Sequence, residues 1–486
     1  MERIELAPGL EISRVLTGLW QVADMERDGG SLDAATTSKA MDDYVDHGLT
    51  TFDMADHYGS SELIAGAFQA RRPGEAELLT KWVPEPGPLS PEIVREAVDR
   101  ALERMGVDRL DLLQFHAWSY THPGWLDAIF ALDDLRRQGT IRHLGLTNVD
   151  TAHLRMLLSS GVPIVSNQVC FSLLDRRARG AMSALCRERG VKLLAFGTLA
   201  GGFLTERWLG RPEPAAQTLT TWSEMKYARF IQAAGGWERF QGLLEAIREV
   251  AARRGVSMAN VASRAILDEP AVGGVIIGAR LGRSRHIQDN LALDRFRLDE
   301  ADRARLDEAA GALDPIPGDC GDEYRVPPFL TASGDLSHHL ERFPPPYPVS
   351  EGPGHRKRAL SGTVWEDLAG FSRAVRTGDR ILVSGTTATH GDRLVGGDDA
   401  YAQAVFCLDK VQGAVESLGG SLSDIVRTRV YVRDPEVWEE VSRAHGERFR
   451  ALQPANTLVN AGLIGDGYLV EIEAEAVVEG ASDGGG

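Results

Sequence analysis

Short apolar runs alternate with segments of helical period over the first 312 residues. Eight of these runs consist largely of Val, Ile, Leu and Phe. We predict them as strands: Val15–Trp20, Thr51–Met54, Leu78–Trp82, Leu110–His116, Arg142–Leu146, Ile164–Gln168, Lys192–Phe196 and Gly273–Ile277. Continuous apolar runs are typical of parallel strands that are buried on both faces.

The segments between these runs carry helix signals. Ser90 and Pro91 combine an N-cap residue with a proline at the first helical position. The residues predicted to face inward in the helix that follows are Val94, Val98, Leu102 and Met105. Eight alternations in about 300 residues predict an α/β fold, a (β/α)8 TIM barrel. Residues 197–236 are too long for a tight loop, and we predict them as a lid at the active-site end.

The rest of the chain changes character twice. Residues 313–360 are rich in proline and are predicted to be a linker between domains. Residues 361–480 are predicted to form a smaller α+β domain, and residues 481–486 a disordered tail. The predicted elements of that domain are the strands Ile381–Ser384, Thr428–Val432 and Leu469–Val478 and the helices Tyr401–Leu418 and Pro435–Leu452.

Composition excludes several classes of protein. The chain has 486 residues, 43% of them hydrophobic and 25% charged, which is ordinary for a globular protein. No apolar run approaches the ~18 residues of a spanning helix, and the first residues lack a signal-peptide core. A net charge of −17 argues against nucleic acid as a partner. Four widely spaced cysteines predict reduced thiols in a cytoplasm and no metal site.

Four polar residues fall at or just beyond the ends of consecutive predicted strands: Asp53, Tyr58, Lys81 and His116. In a barrel these positions converge on one mouth, where barrel enzymes keep their chemistry. A buried Lys beside a buried Asp is tolerable because the charges neutralise each other. We expect the cation to lower the tyrosine pKa from ~10, which makes the phenol a general acid. Taken singly, each residue is more often structural, and His116 alone fits a core histidine; the ordered set favours catalysis.

Residues 1 to about 312 resemble the aldo-keto reductase family. The matching segments are Gly48-x4-Asp53-x4-Tyr58-Gly59-x2-Glu62, Lys81, Gln114-x-His116, Ile141–Asn148, Asn167-Gln168 and Ile276–Arg280. The resemblance implies that Tyr58 is the general acid, that Lys81 and Asp53 tune it, and that His116 orients the carbonyl. It also implies an extended NADPH at the barrel mouth. The implied cofactor residues are Thr147, Asn148, Gln168, Phe196, Arg280, Arg285 and Asn290.

Residues 361 to about 480 resemble the Rid (reactive intermediate deaminase, YjgF-like) family. The matching segments are Phe371–Val375, Gly378–Gly385, Asp424–Val432, Pro454-Ala455 and Val470–Ala474. The resemblance implies a chorismate-mutase-like mixed sheet with two helices on one face, assembled as a homotrimer. Deaminating members carry an arginine after the Pro-Ala pair, where this chain has Asn456. Glu471 matches a glutamate that positions water, although a strand-face carboxylate is an equal alternative.

The leading hypothesis is an NADPH-dependent oxidoreductase that reduces a carbonyl, or an imine, of a small apolar or aromatic metabolite. Trp20, Trp82 and Trp118 predict the apolar pocket. The fused domain would bind an intermediate or organise the trimer. One alternative gives the Rid-like domain the main lyase- or hydrolase-type step, with the barrel auxiliary. Another is a cofactor-sensing scaffold, against which the four-residue set argues.

Overall fold

A computed structural model describes residues 1–85, 87–283, 286–331 and 344–479 of the chain. The chain begins with an antiparallel hairpin of β1 (Arg3–Ala7) and β2 (Leu10–Ser13). Leu10 and Ile12 of this hairpin belong to one buried cluster with Leu79 and Leu112 of the strands that follow. The hairpin therefore covers one end of the first domain.

Eight parallel strands close into a barrel, as the apolar runs predict. They are β3 (Val15–Gly18), β4 (Thr51–Asp53), β5 (Glu77–Trp82), β6 (Leu110–His116), β7 (Ile141–Thr147), β8 (Ile164–Cys170), β9 (Lys192–Phe196) and β10 (Val272–Gly278). β10 pairs with both β9 and β3, which closes the ring. The strands were readable from the sequence because their side chains are buried on both faces.

Helices surround the barrel and fill the connections. They are α1 (Trp20–Met25), α2 (Ala34–Thr37), α3 (Lys39–Asp46), α4 (Ser61–Arg71), α5 (Pro91–Met105), α6 (Gly124–Arg137), α7 (Thr151–Ser159), α8 (Ala181–Arg189), α9 (Trp222–Ala233), α10 (Trp237–Arg254), α11 (Met258–Leu267), α12 (Ile287–Ala292) and α13 (Glu300–Gly311). Ser90 caps α5 by accepting a hydrogen bond from the Ile93 amide. Ala101 is buried on this helix, whereas Leu102 is only half-buried.

The described parts of the proline-rich segment, residues 313–331 and 344–360, contain regular elements. A short helix, α14 (Asp322–Arg325), lies against the mouth of the barrel, with Glu323 and Arg325 buried. Further along, β11 (Val349–Gly352) and β12 (Arg356–Ala359) join the sheet of the second domain. These two strands have little apolar character, and they form because a neighbouring edge offers hydrogen-bond partners.

The second domain is a seven-stranded sheet in the order β11-β12-β13-β14-β19-β17-β18. Its remaining elements are β13 (Ala374–Thr377), β14 (Arg380–Thr387), a small hairpin of β15 (Thr389–His390) and β16 (Arg393–Leu394), β17 (Ile425–Val432), β18 (Ala455–Asn460), β19 (Val470–Val477), α15 (Val364–Ala369), α16 (Ala400–Ser417) and α17 (Trp438–Phe449). The buried residues of β19 face α16, and the alternate glutamates face away. This agrees with the predicted α+β domain.

Helix α7 of the barrel packs against α16 of the second domain. His153 on α7 lies between two carboxylates, with Nδ1 2.8 Å from Asp150 and Nε2 3.0 Å from Asp409. Arg155 adds two hydrogen bonds to Asp399, at 2.6 and 2.9 Å. Charged contacts therefore hold the two domains together in addition to the connecting chain. None of the helices in the described ranges combines the length and apolarity needed to cross a bilayer.

Candidate active site

A cavity of about 920 Å³ opens at the carboxyl ends of the barrel strands. Asp53, Tyr58, Lys81 and His116 all line it. Asp53 ends β4, Lys81 lies near the end of β5 and His116 ends β6, while Tyr58 follows in the loop after β4. The closed parallel barrel brings these strand ends to one rim, so the four residues share one chamber.

Lys81 and Asp53 form a buried ion pair at the base of the chamber. Lys81 Nζ donates to Asp53 Oδ2 at 2.7 Å, and both side chains are 3% exposed. The other oxygen, Asp53 Oδ1, accepts from Gln168 Nε2 at 2.7 Å and from Gln114 Nε2 at 3.3 Å. A buried pair is tolerated when hydrogen bonds satisfy its remaining polar atoms, as they do here. The pair holds the ammonium 4.7 Å from the Tyr58 ring centroid.

The pKa of Tyr58 moves opposite to our expectation. Burial raises it well above 10, and the Asp53 carboxylate adds to that rise. Burial also lowers the pKa of Lys81, which the Asp53 charge opposes. The cation therefore does not overcome desolvation of the phenol. Tyr58 stays protonated at neutral pH, which is the form that a proton donor needs.

Aromatic rings fix the position of Tyr58. The Trp20 ring meets it edge-on with the centroids 4.9 Å apart, and Trp222 lies 5.6 Å from Trp20. Trp20 and Trp118 line the cavity, as predicted. Trp82 is not among the lining residues; it packs 5.5 Å from Phe115 in the core. The wall beside the phenol is thus apolar and aromatic.

His116 is neutral. Burial lowers its pKa to about 3, and the nearby Arg325 guanidinium adds to this effect. Its Nδ1 lies 3.3 Å from the Thr147 carbonyl oxygen, which can only accept, so Nδ1 carries the proton in this contact. Nε2 is buried and has no partner among the described residues. To donate a hydrogen bond to a substrate carbonyl oxygen in the chamber, His116 must adopt the other tautomer, with the proton on Nε2.

Five of the predicted cofactor residues line the same cavity: Thr147, Asn148, Gln168, Phe196 and Asn290. Asn148 has a φ of 57°, a left-handed conformation that asparagine tolerates, and its backbone N–H donates to the backbone carbonyl oxygen of Gln168 at 2.8 Å. Its buried Oδ1 has no partner among the described residues. Both hydrogen bonds of Gln168 Nε2 go to protein acceptors, Asp53 and Gln114.

The other end of the cavity reaches α11 and α12. Asn290 lines it together with Asn260, whose amide donates to Asp289 at 2.9 Å. Arg280 is exposed two residues beyond the end of β10 and is not among the lining residues. Arg285 lies outside the described residues. The described cofactor candidates therefore fall into two groups: residues that line the cavity, and Arg280, which is exposed outside it.

The two candidate residues of the second domain do not meet within one chain. The Asn456 amide donates to Thr428 Oγ1 at 2.9 Å, on the side of the sheet where His445 of α17 lies. Glu471 alternates with the buried Val470 and Ile472, so it faces the opposite side. Burial raises the pKa of Glu471, and the charge of Arg373 opposes this rise. Among the described residues, no cluster of three or more His, Cys, Asp or Glu could hold a metal ion.

Comparison with known families decides the identity of the barrel. The model of the Aldo/keto reductase family matches residues 14–310, more than half of the chain. The chain belongs to this family. A second model, Endoribonuclease L-PSP, which covers YjgF-like proteins, matches residues 365–478. The aldo/keto reductase barrel is therefore fused to a YjgF-like domain, as both sequence resemblances indicated.

Individual relatives agree with this division. An uncharacterised protein of Streptomyces coelicolor is 40% identical over 121 residues, which cover 25% of this chain and 90% of that protein. The NADH-specific methylglyoxal reductase of Escherichia coli is 26% identical over 339 residues, covering 65% of this chain and all of that protein. The solved structure of a glycerol dehydrogenase of Gluconobacter oxydans is 21% identical in sequence, with a TM-score of 0.53. The match covers 64% of this chain and 95% of that chain. The last of these shares the fold.

The aldo/keto reductase chamber also contains polar residues that the sequence reasoning missed. Lys226 of α9 and Tyr324 of α14 line it, with Lys226 Nζ 2.9 Å from the Tyr324 hydroxyl and 3.5 Å from Glu323. Burial lowers the pKa of Lys226, but Tyr324 and Glu323 outweigh it, so the net shift is upward. The sequence did not place Tyr324 in the chamber, because this residue lies in a proline-rich segment far from the barrel strands.

Proposed function

We propose that this aldo/keto reductase reduces the carbonyl group of a small metabolite with a nicotinamide dinucleotide. The observation that carries the proposal is that one chamber holds the half-buried Tyr58, the Lys81–Asp53 pair and His116, whose Nε2 has no partner among the described residues. A phenol, a cation and an imidazole around one cavity suit the transfer of a proton to an oxygen that gains negative charge.

The residues at the barrel mouth fit a nicotinamide dinucleotide. Asn148 Oδ1 is a buried acceptor without a partner in the described part of the chain, which suits the amide NH₂ of a carboxamide. Thr147 and Gln168 lie beside it, Phe196 offers a ring face for stacking, and Asn290 lines the far end of the same long cavity. When bound, the cofactor supplies a hydride to the carbonyl carbon.

The side chains of this chain do the rest. Tyr58 donates its hydroxyl proton to the carbonyl oxygen, and Lys81 stabilises the phenolate that remains. Asp53 keeps Lys81 in place through the 2.7 Å contact. His116, with the proton on Nε2, donates a hydrogen bond that orients the same oxygen. This tautomer gives up the long contact with the Thr147 carbonyl.

The Tyr58→Phe variant tests this proposal, because it keeps the ring and removes the proton. Loss of a general acid typically lowers the rate by ~10²–10⁴-fold. We expect this fall in kcat for a panel of aldehydes and ketones, followed by cofactor absorbance, with cofactor affinity nearly unchanged. Tyr431→Phe in the second domain is the matched control. Near-normal turnover of Tyr58→Phe would refute the assignment.

We propose NADPH rather than NADH as the preferred cofactor. Arg280 supports this choice: it is exposed just beyond β10 and makes no ion pair within the described ranges, so it is available to a 2′-phosphate. Two observations favour NADH instead. The Asp289 carboxylate lines the cavity and would repel a 2′-phosphate, and the Escherichia coli relative is NADH-specific. Fluorescence titration of Arg280→Met should give roughly tenfold weaker NADPH binding and unchanged NADH binding. Arg189→Met is the control, and equal affinity of the unmodified protein for both cofactors would refute the choice.

We propose an apolar or aromatic carbonyl compound, or an imine, as the substrate. The aromatic wall of Trp20, Trp118, Trp222 and Tyr324 supports a flat apolar group. A series of aldehydes of rising ring size, compared by kcat/KM, tests this. A preference for small charged aldehydes over benzaldehyde-like ones would contradict it.

We propose that the second domain binds an intermediate or assembles a homotrimer, and does not deaminate 2-imino acids. Leu382 and Val459 support assembly, since they are 43% and 38% exposed on the sheet side that α16 leaves open. A main lyase-type step in this domain is disfavoured, because Glu471 and Asn456 face opposite sides of the sheet. Light scattering should give three times the chain mass of 52.9 kDa, and Leu382→Glu should lower it. A full-length monomer would refute the trimer.

A further inference from the structure

A second cavity, of about 730 Å³, lies between the two domains. The barrel contributes residues of α5 and α6, and the second domain contributes the β15–β16 hairpin and α16. His390 Nε2 lies 2.6 Å from Asp127, and the Arg393 guanidinium lies 4.5 Å from the Phe130 ring centroid. Contacts from both domains therefore hold its walls in place.

Lys410 of α16 lines this cavity and is 4% exposed. Its Nζ donates to the Thr389 carbonyl at 2.7 Å and to the Thr387 carbonyl at 3.1 Å. The other two buried lysines, Lys81 and Lys226, have carboxylates at 2.7 and 3.5 Å. Among the described residues, no carboxylate lies within 4 Å of Lys410 Nζ.

This surrounding favours a neutral amine. A neutral amine has two N–H donors and one lone pair, whereas an ammonium has three donors. The Thr387 and Thr389 carbonyl oxygens accept from the two N–H groups of a neutral Lys410 amine, so its lone pair is not used in a hydrogen bond. Burial lowers the pKa of Lys410 to about 7, and the charge of Arg373 adds to this shift. Cys407 and Glu366 oppose the shift but do not outweigh it. A large fraction of the amine is therefore nucleophilic at neutral pH.

We propose that Lys410 is a nucleophile that captures small aldehydes or ketones as a reversible imine in the cavity between the domains. The site is separate from the reductase chamber and requires neither its cofactor nor its tyrosine. The cavity volume and the Phe130 face favour a compound with an apolar portion.

The chemistry balances without any further reactant. The amine lone pair attacks the carbonyl carbon, and one amine proton moves to the carbonyl oxygen to give a carbinolamine. The hydroxyl group then leaves as water, taking the second amine proton, and a carbon–nitrogen double bond forms. Protonation of the imine restores one N–H donor for the Thr389 or the Thr387 carbonyl. Hydrolysis reverses the sequence.

Reductive trapping of the full-length protein tests the proposal. The protein is incubated at pH 7 with propionaldehyde and sodium cyanoborohydride, and adducts are located by peptide mass mapping. The chain has six lysines, Lys39, Lys81, Lys192, Lys226, Lys357 and Lys410. Because a large fraction of the Lys410 amine is neutral at pH 7, we expect it to be labelled at least about tenfold faster than the exposed Lys39 and Lys357.

Two further measurements keep the test decisive. Labelling of Lys410 should reach half its maximum near pH 7. Lys410→Met should lose one adduct, and the control Lys357→Met should keep the fast one. If Lys410 is labelled no faster than Lys39, the proposal is overturned. Lys410 would then have only a structural role, through its hydrogen bonds to the Thr387 and Thr389 carbonyls. Reductase turnover, measured separately with cofactor, is independent of this result.

Discussion

Replacing His153 with glutamine tests how the two domains are held together. His153 is 5% exposed on its side chain and touches Asp150 on its own domain and Asp409 on the other. Burial lowers the pKa of this imidazole, but the two carboxylates outweigh it and raise the pKa from 6.5 to about 9. The same contacts lower the pKa of Asp150 to about 2, despite its burial. The imidazole is therefore a cation at neutral pH.

The size of the effect follows from the pKa. A tenfold change in proton affinity corresponds to about 1.4 kcal/mol, so the change from 6.5 to about 9 corresponds to roughly 3 kcal/mol of unfolding free energy. Because the folded pKa is the higher one, this stabilisation is complete below pH 6.5. It is lost as the pH rises through 9.

Urea unfolding followed by tryptophan fluorescence, at several pH values between 6 and 10, measures the prediction. The unmodified protein should lose roughly 3 kcal/mol over this range, and His153→Gln should lose much less. His47→Gln, which replaces an exposed histidine at the C-terminal end of α3, is the matched control. An equal pH dependence in the unmodified protein and His153→Gln would refute the reasoning.

Three further outcomes are expected. Asp53→Asn leaves Lys81 buried without its partner, and urea unfolding should show a loss of ~3–5 kcal/mol; a change below 1 kcal/mol would mean that the pair is not buried in solution. Tyr324→Phe removes the hydroxyl that meets Lys226, so steady-state kinetics should show a several-fold higher KM with nearly unchanged kcat; a fall in kcat as large as that of Tyr58→Phe would place Tyr324 in proton transfer instead. The full-length protein should not accelerate ammonia release from 2-iminopropionate, because the neutral Asn456 cannot make a charge-assisted contact to a carboxylate, and clear ammonia release would contradict this.

The sequence by itself determined the barrel and the identity of its main polar residues. Parallel strands buried on both faces need continuous Val, Ile and Leu, so β6 and β9 were predictable residue for residue. Asp53, Lys81 and His116 could be predicted as site residues because each is a polar residue at or near the end of an apolar run. Closure of the barrel then brings these ends to one rim. The order of the elements therefore predicted which side chains share a chamber.

Only the tertiary structure decided what surrounds those side chains. Tyr324 reaches the chamber from a proline-rich segment, and Lys410 lies against the hairpin that completes the cavity between the domains. Neither position follows from local periodicity, because both depend on contacts between distant segments. The direction of the Tyr58 pKa was missed for the same reason: burial and the distances to neighbouring charges set the energy of an ionised group, and these exist only once the chain has folded.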